Sequence, residues 1–131
     1  MRVVITFDHE LFFGPASGTP ERCLIEPGRA LAAAATEAGA PLCFFVDAGY
    51  LLALRSLAPR HSTLRAQEAA VRRSLDDLAS QGHELLLHVH PHWEDALWND
   101  GRWHFDLTRY ALSAFDDDAV VELVRRQADT L

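Results

Sequence analysis

Short apolar runs along this chain alternate with longer stretches in which apolar residues recur every three or four positions. That alternation predicts strands separated by helices. Arg2–Phe7 (RVVITF) is rich in β-branched and aromatic residues and has no helical period, so it reads as a strand. Pro41–Val46 (PLCFFV) and Glu84–Val89 (ELLLHV) read the same way. Between the first two, Asp8–Pro27 reads as a long connection and Gly28–Ala38 as an Ala-rich helix closed by Gly39. Asp47 is placed to cap a helix over Ala48–Leu57. A longer helix over Ser62–Gln81 keeps Leu64, Val71, Leu75 and Leu78 on one face and stops at Gly82. Glu94–Phe115 is aromatic-rich, with a helical stretch near Leu107–Ala114, and Asp116 or Asp117 opens a last helix running to Leu131.

The order is β-α-β-α-α-β-loop-α. Continuous apolar strands separated by helices imply an α/β fold with a parallel sheet covered by helices. Ligands of such folds bind at the carboxyl ends of the strands. Asp8, Asp47 and His88 lie at those ends. Three strands leave two open edges, and the chain closes on a helix where a fourth strand would follow, so half of a larger fold or a homodimer covering the open edge is expected.

The chain has 131 residues, enough for one domain, and its apolar fraction of 49% argues against disorder. A net charge of −7 argues against a nucleic-acid partner. All 12 basic residues are Arg, which excludes Schiff-base chemistry and a phosphate-binding P-loop lysine. The two cysteines, Cys23 and Cys43, are too few for a disulfide framework. No apolar run reaches the ~20 residues of a membrane span. No signal-peptide pattern precedes the first strand, so a cytoplasmic location is expected.

Four of the seven histidines fall within His83–His92, which reads His-Glu-Leu-Leu-Leu-His-Val-His-Pro-His. Neutral imidazole is the commonest transition-metal ligand. On an extended strand His88 and His90 would stand ~6.6 Å apart, a workable chelating pair, and His88 and His92 roughly 13 Å apart. A bend at Val89–Pro91 would bring His88 and His92 together instead. Asp8 and Glu10 share a strand face, which suits one as ligand and the other as general base. Two imidazoles and one carboxylate make a three-ligand zinc site with an open position. His83, after a glycine, suits a structural bond to the preceding helix. Trp93, Trp98, Trp103 and Phe12 can stack on sugar faces or pack over the mouth of the fold; Phe13 faces the same choice.

Thr6-Phe7-Asp8-His9-Glu10 resembles the first motif of the polysaccharide deacetylases, the NodB-homology or carbohydrate esterase 4 group, written T-F-D-D or F-D-x-E. Phe44-Phe45-Val46 resembles their second-strand F-F-V, and Gly82–His92 their G-x-E-I-x-x-H-S-x-x-H. The resemblance covers most of the chain and is nearest to deacetylase-like proteins of surface-polysaccharide clusters. It implies the N-terminal half of a distorted (β/α) barrel and a metal-dependent hydrolase that removes acetyl or other acyl groups from a sugar or polysaccharide precursor. It assigns Asp8 as catalytic base and His88 and His92 as ligands of a divalent ion, zinc by preference. Glu10 or His9 stands in for the family's second Asp, and His90 is a further candidate ligand. The resemblance leaves a second possibility, a degenerate relative that binds metal or carbohydrate without turnover.

Overall fold

A computed structural model describes residues 3–12 and 18–131. Arg2, with which the expected first strand begins, and Phe13 lie outside the described residues. Strands at the three expected places form one parallel sheet: β1 (Thr6–His9), β2 (Cys43–Asp47) and β3 (Glu84–His88), in the order β1-β2-β3; β1 lies later than expected, with residues 3–5 outside it and Asp8 within it. Thr6 stands beside Cys43 and Cys43 beside Glu84, so equivalent positions of all three strands share a face.

The two faces differ in cover. Phe7, Phe44 and Leu85, then His9, Val46 and Leu87, form the rows of one face. Phe44 and Val46 are buried there among Leu64, Val71 and Leu78. The opposite face carries Thr6, Asp8, Phe45, Glu84 and Leu86; Thr6, Asp8, Glu84 and Leu86 are exposed. Asp47 and His88, in register, extend that second face at the carboxyl end of the sheet. Glu10 shares strand parity with Asp8 and continues it from β1.

The helices are α1 (Glu26–Ala38), α2 (Ala48–Leu57), α3 (Ser62–Ser80) and α4 (Asp117–Ala128). Asp47 caps α2 by accepting a hydrogen bond from Tyr50 N at 3.2 Å, and Asp116 caps α4 through Ala119 N. Gly39 closes α1 with φ 63°, the left-handed conformation that glycine adopts without a Cβ clash.

Two expectations need correcting, and a third feature was not expected. The connection after β1 is shorter than expected, because a π-helical turn, Glu21–Ile25, runs directly into α1 and buries Leu24 and Ile25. The region Leu107–Ala114 holds two separate 3-10 turns, Leu107–Arg109 and Leu112–Ala114, in place of a helix. A hairpin of β4 (Leu97–Asn99) and β5 (Arg102–His104) fills part of the aromatic segment. Its turn holds Asp100 at φ 51° and Gly101 at φ 74°. Positive φ at both central residues matches the twist of a two-residue hairpin. Among the described residues the parallel sheet is open and no barrel closes. No described helix is long and apolar enough to cross a membrane.

Candidate metal centre

Each side chain of the centre is delivered by a strand end. β3 ends at His88, and Pro91 denies the backbone a further N–H donor, so the chain leaves the sheet and turns through Pro91–Trp93. His88, His90 and His92 follow around this bend, with ring centroids 4.4 Å apart for His88–His90 and 5.0 Å for His90–His92. Glu10 arrives from beyond β1 and Asp47 from the end of β2.

Two groups of potential ligands result, and His90 belongs to both. Glu10, His88 and His90 place their ligand atoms within 4.8 Å of one another, as do Asp47, His90 and His92. His88 Nε2 lies 3.0 Å from Glu10 Oε2. His90 Nδ1 lies 3.0 Å from Asp47 Oδ2 and 3.3 Å from Glu10 Oε2. The bend therefore brings His88 and His92 onto two sides of His90 and into different groups.

The groups differ in how much of their bonding capacity is taken. Asp47 is buried, its Oδ1 accepts from Tyr50 N, and its Oδ2 accepts from Trp93 Nε1 at 2.6 Å. Glu10, His88 and His90 are all partly exposed and open to solvent. The first group therefore has a free side for a further ligand, which a catalytic ion needs.

Electrostatics separate the imidazoles. Burial pushes His92 down to about 4, against a smaller upward pull from Asp47, so it is neutral near pH 7, with one ring nitrogen protonated and the lone pair of the other free. Burial also works against charge on His90, but the Asp47 hydrogen bond and the charges of Asp47, Glu10 and Asp8 prevail and raise it. The ion-free centre thus favours a proton on His90, held between two carboxylates.

The remaining site candidates fall in different places. Asp8 is exposed on the uncovered face, and its charge reaches His90. His9 points the other way, into the helix-covered side, with its ring 5.7 Å from Phe44 and its Cε1 against Gly28. Strand alternation separates it from Asp8 and Glu10, so His9 does not join either group. His83 is buried: its backbone N–H donates to Leu78 O in the last turn of α3 at 3.2 Å, as expected, and its ring also accepts from Leu42 N, just before β2, at 3.2 Å.

Trp93 and Trp103 are buried in the core, edge to face with centroids 5.1 Å apart, so their rings have no free face for a sugar. Trp98 packs partly buried against Trp103. Phe12 is 64% exposed. Trp93 instead orients Asp47, a role its place next to His92 in the sequence does not announce.

Gly49 is a second residue that sequence reasoning passed over. A Cβ there would lie 2.9 Å from Trp93 Cδ1 and 3.0 Å from His90 O. Glycine at this point of α2 lets the histidine-bearing bend lie directly on the helix. Beside the centre opens a cleft lined by Glu10, Leu11, Val89, His90, Pro91 and His92, and by Tyr110–Leu112. No family model, curated protein or solved structure matches this chain.

Proposed function

We propose that this protein is a metal-dependent hydrolase that removes acyl groups from a sugar or polysaccharide precursor. The observation that carries the reading is the partly exposed Glu10–His88–His90 group, set at the carboxyl end of a parallel sheet and opening on a cleft. Its donor set, two imidazole nitrogens and one carboxylate oxygen, has the composition of catalytic zinc sites. The resemblance of Asp8–Glu10 and His88–His92 to polysaccharide deacetylase motifs supports the same chemistry. It also supports reading the consecutive strand order, with one covered face, as an arc of a distorted (β/α) barrel.

In this reading Glu10, His88 and His90 hold the ion, and His92 stands beside them. When bound, such an ion supplies Lewis acidity to a carbonyl oxygen and to water. Asp8, on the same sheet face as Glu10, accepts a proton from the attacking water. The oxygen of that water adds to the acyl carbon, the bond to the sugar nitrogen or oxygen breaks, and the leaving atom takes up a proton. Asp47 keeps His90 in place through Nδ1, and Trp93 keeps Asp47 in place.

The test is acid release from acylated amino sugars by metal-supplemented protein, beside Asp8→Asn. Release by the parent and its loss by at least a hundred-fold in the variant, with the ion retained, is the expected result. No release from any acylated sugar by protein that carries the ion would overturn the hydrolase reading. A second reading is metal binding without turnover, since the Glu10–His88–His90 group can hold an ion with no part played by Asp8.

A further inference from the structure

The geometry points to an acyl group larger than acetyl as the preferred leaving acid, seated in the cleft beside the candidate metal centre. This inference rests on the hydrolase reading above. The cleft has a volume of about 390 Å³. That is on the order of ten times the ~30 Å³ that one water occupies in the liquid. An acetyl group, with only a few heavy atoms, would leave most of it to solvent.

The distribution of polar groups decides what the rest of the volume suits. Glu10, His90 and His92 gather at one end, where the ion would sit. The rest of the lining is Leu11, Val89, Pro91, Ala111 and Leu112, with Tyr110 the one further lining residue that carries a polar side-chain group. The carbonyls of Ala111 and Leu112 already accept from Ala114 N and Phe115 N, so this wall offers a ligand few free acceptors. A sugar ring here would lose water from its several hydroxyls and find few side-chain partners beyond Tyr110, which is unfavourable. An alkyl chain loses nothing of the kind, and each methylene it buries favours binding by about four-fold.

The opposing wall is held in place. Arg109 pairs with Asp95 at 2.8 Å and lies over the Phe115 ring at 4.3 Å, which fixes the segment that carries Tyr110–Leu112. Leu112 is 39% exposed, an apolar side chain left at the edge of an apolar cleft. A medium-chain acyl group with its carbonyl toward Glu10, His88 and His90 would cover both.

Two measurements test this. The first compares zinc-loaded protein on N-hexanoylglucosamine and N-acetylglucosamine, with Leu112→Asn beside the parent. The expected kcat/KM ratio is at least ten-fold in favour of hexanoyl, falling by five-fold or more in the variant. The second measures binding of hexanamide and acetamide by the metal-free full chain, with NMR shifts at Leu11, Ala111 and Leu112 as the readout. Hexanamide should bind at least ten-fold more tightly than acetamide and shift those residues. Equal or faster turnover of the acetyl sugar would overturn the inference and leave the hydrolase reading standing. Hexanamide that fails to shift those residues would overturn it as well. Hexanamide bound at those residues, with no turnover of either sugar, would support the apolar cleft and overturn the hydrolase reading.

Discussion

Trp93 Nε1 donates a 2.6 Å hydrogen bond to Asp47 Oδ2, joining the end of β2 to the turn that follows the histidines. Asp47 is 2% exposed and has two other partners, Tyr50 N at the start of α2 and His90 Nδ1. One carboxylate therefore caps a helix, fixes an indole and orients a candidate ligand.

Asp47→Ala is expected to remove all three bonds together. Losing the cap costs about 1 kcal/mol, and stranding the buried Trp93 N–H adds roughly 1–3 kcal/mol. Metal affinity should fall by about 10–100-fold, as it does when an outer partner of a metal-binding histidine is removed. Trp93→Phe keeps the cap and should cost less than Asp47→Ala. Denaturant unfolding and zinc titration check both, and an Asp47→Ala protein as stable as the parent would show that the three bonds contribute nothing net.

The two ligand groups make unequal predictions for single substitutions. His90 belongs to both groups, so His90→Ala should lose the ion altogether. His88→Ala removes a ligand from the open group and should lose it too. His92→Ala leaves Glu10, His88 and His90 untouched, and binding should survive within about ten-fold, the loss of an outer contact. Metal content by mass spectrometry, about one ion per chain in the parent, separates the cases. An ion lost from His92→Ala but kept in His88→Ala would place it in the Asp47–His90–His92 group instead.

How far the sequence announced this centre depends on the residue. Parity along a strand was enough to put Asp8 and Glu10 on one face, and the apolar run before His88 was enough to deliver it to a sheet end. The α2 boundaries followed from Asp47 and the apolar period after it. The grouping of the histidines was not legible, because it depends on the path of the chain after Pro91, and that path is set by contacts with Gly49 and Trp93 rather than by local propensity. The β4–β5 hairpin does carry a signal: Asn99-Asp100-Gly101 is turn chemistry between Trp98 and Trp103, which pair across the strands. The π-helical turn before α1 had none, since Pro20, Pro27 and Gly28 all read as breakers until Pro27 and Gly28 are seen in the first turn of α1.

Acid should weaken the ion-free fold before carboxylates titrate. Burial holds His9 at about 4, well below its ordinary 6.5, and its Nε2 has no partner among the described residues. Above pH 6.5 this imidazole is neutral folded and unfolded and leaves stability unchanged; His90, raised by its carboxylate neighbours, acts there with the opposite sign and adds stability as pH falls toward 6.5. Between 6.5 and 4 the unfolded chain takes up a proton that the native state refuses, and stability falls with pH. His92 acts with the same sign. The combined loss is of the order of a few kcal/mol. Unfolding of chelator-treated protein across this window should show the slope, reduced in His9→Leu. An unchanged slope in that variant would assign the effect elsewhere.

Gly49 offers the sharpest test of packing around the centre, because helix propensity and sterics oppose each other there. Alanine is the better helix former by about 1 kcal/mol, and less at a helix start. Against this, its Cβ would stand 2.9 Å from Trp93 Cδ1 and 3.0 Å from the His90 carbonyl oxygen, and a carbonyl on a packed turn cannot swing aside as a side chain can. Overpacking of this kind costs roughly 1–3 kcal/mol, so sterics should prevail. The displaced turn carries His90 and His92, so zinc affinity should fall along with stability. Gly101→Ala is the matching control: nothing lies within 4 Å of its Cβ, and φ 74° is the sole strain. It should cost about 1 kcal/mol and leave zinc affinity as it was. If Gly49→Ala instead proved more stable than the parent and bound zinc equally well, the close approach of α2 to the histidine turn would not be what positions the ligands.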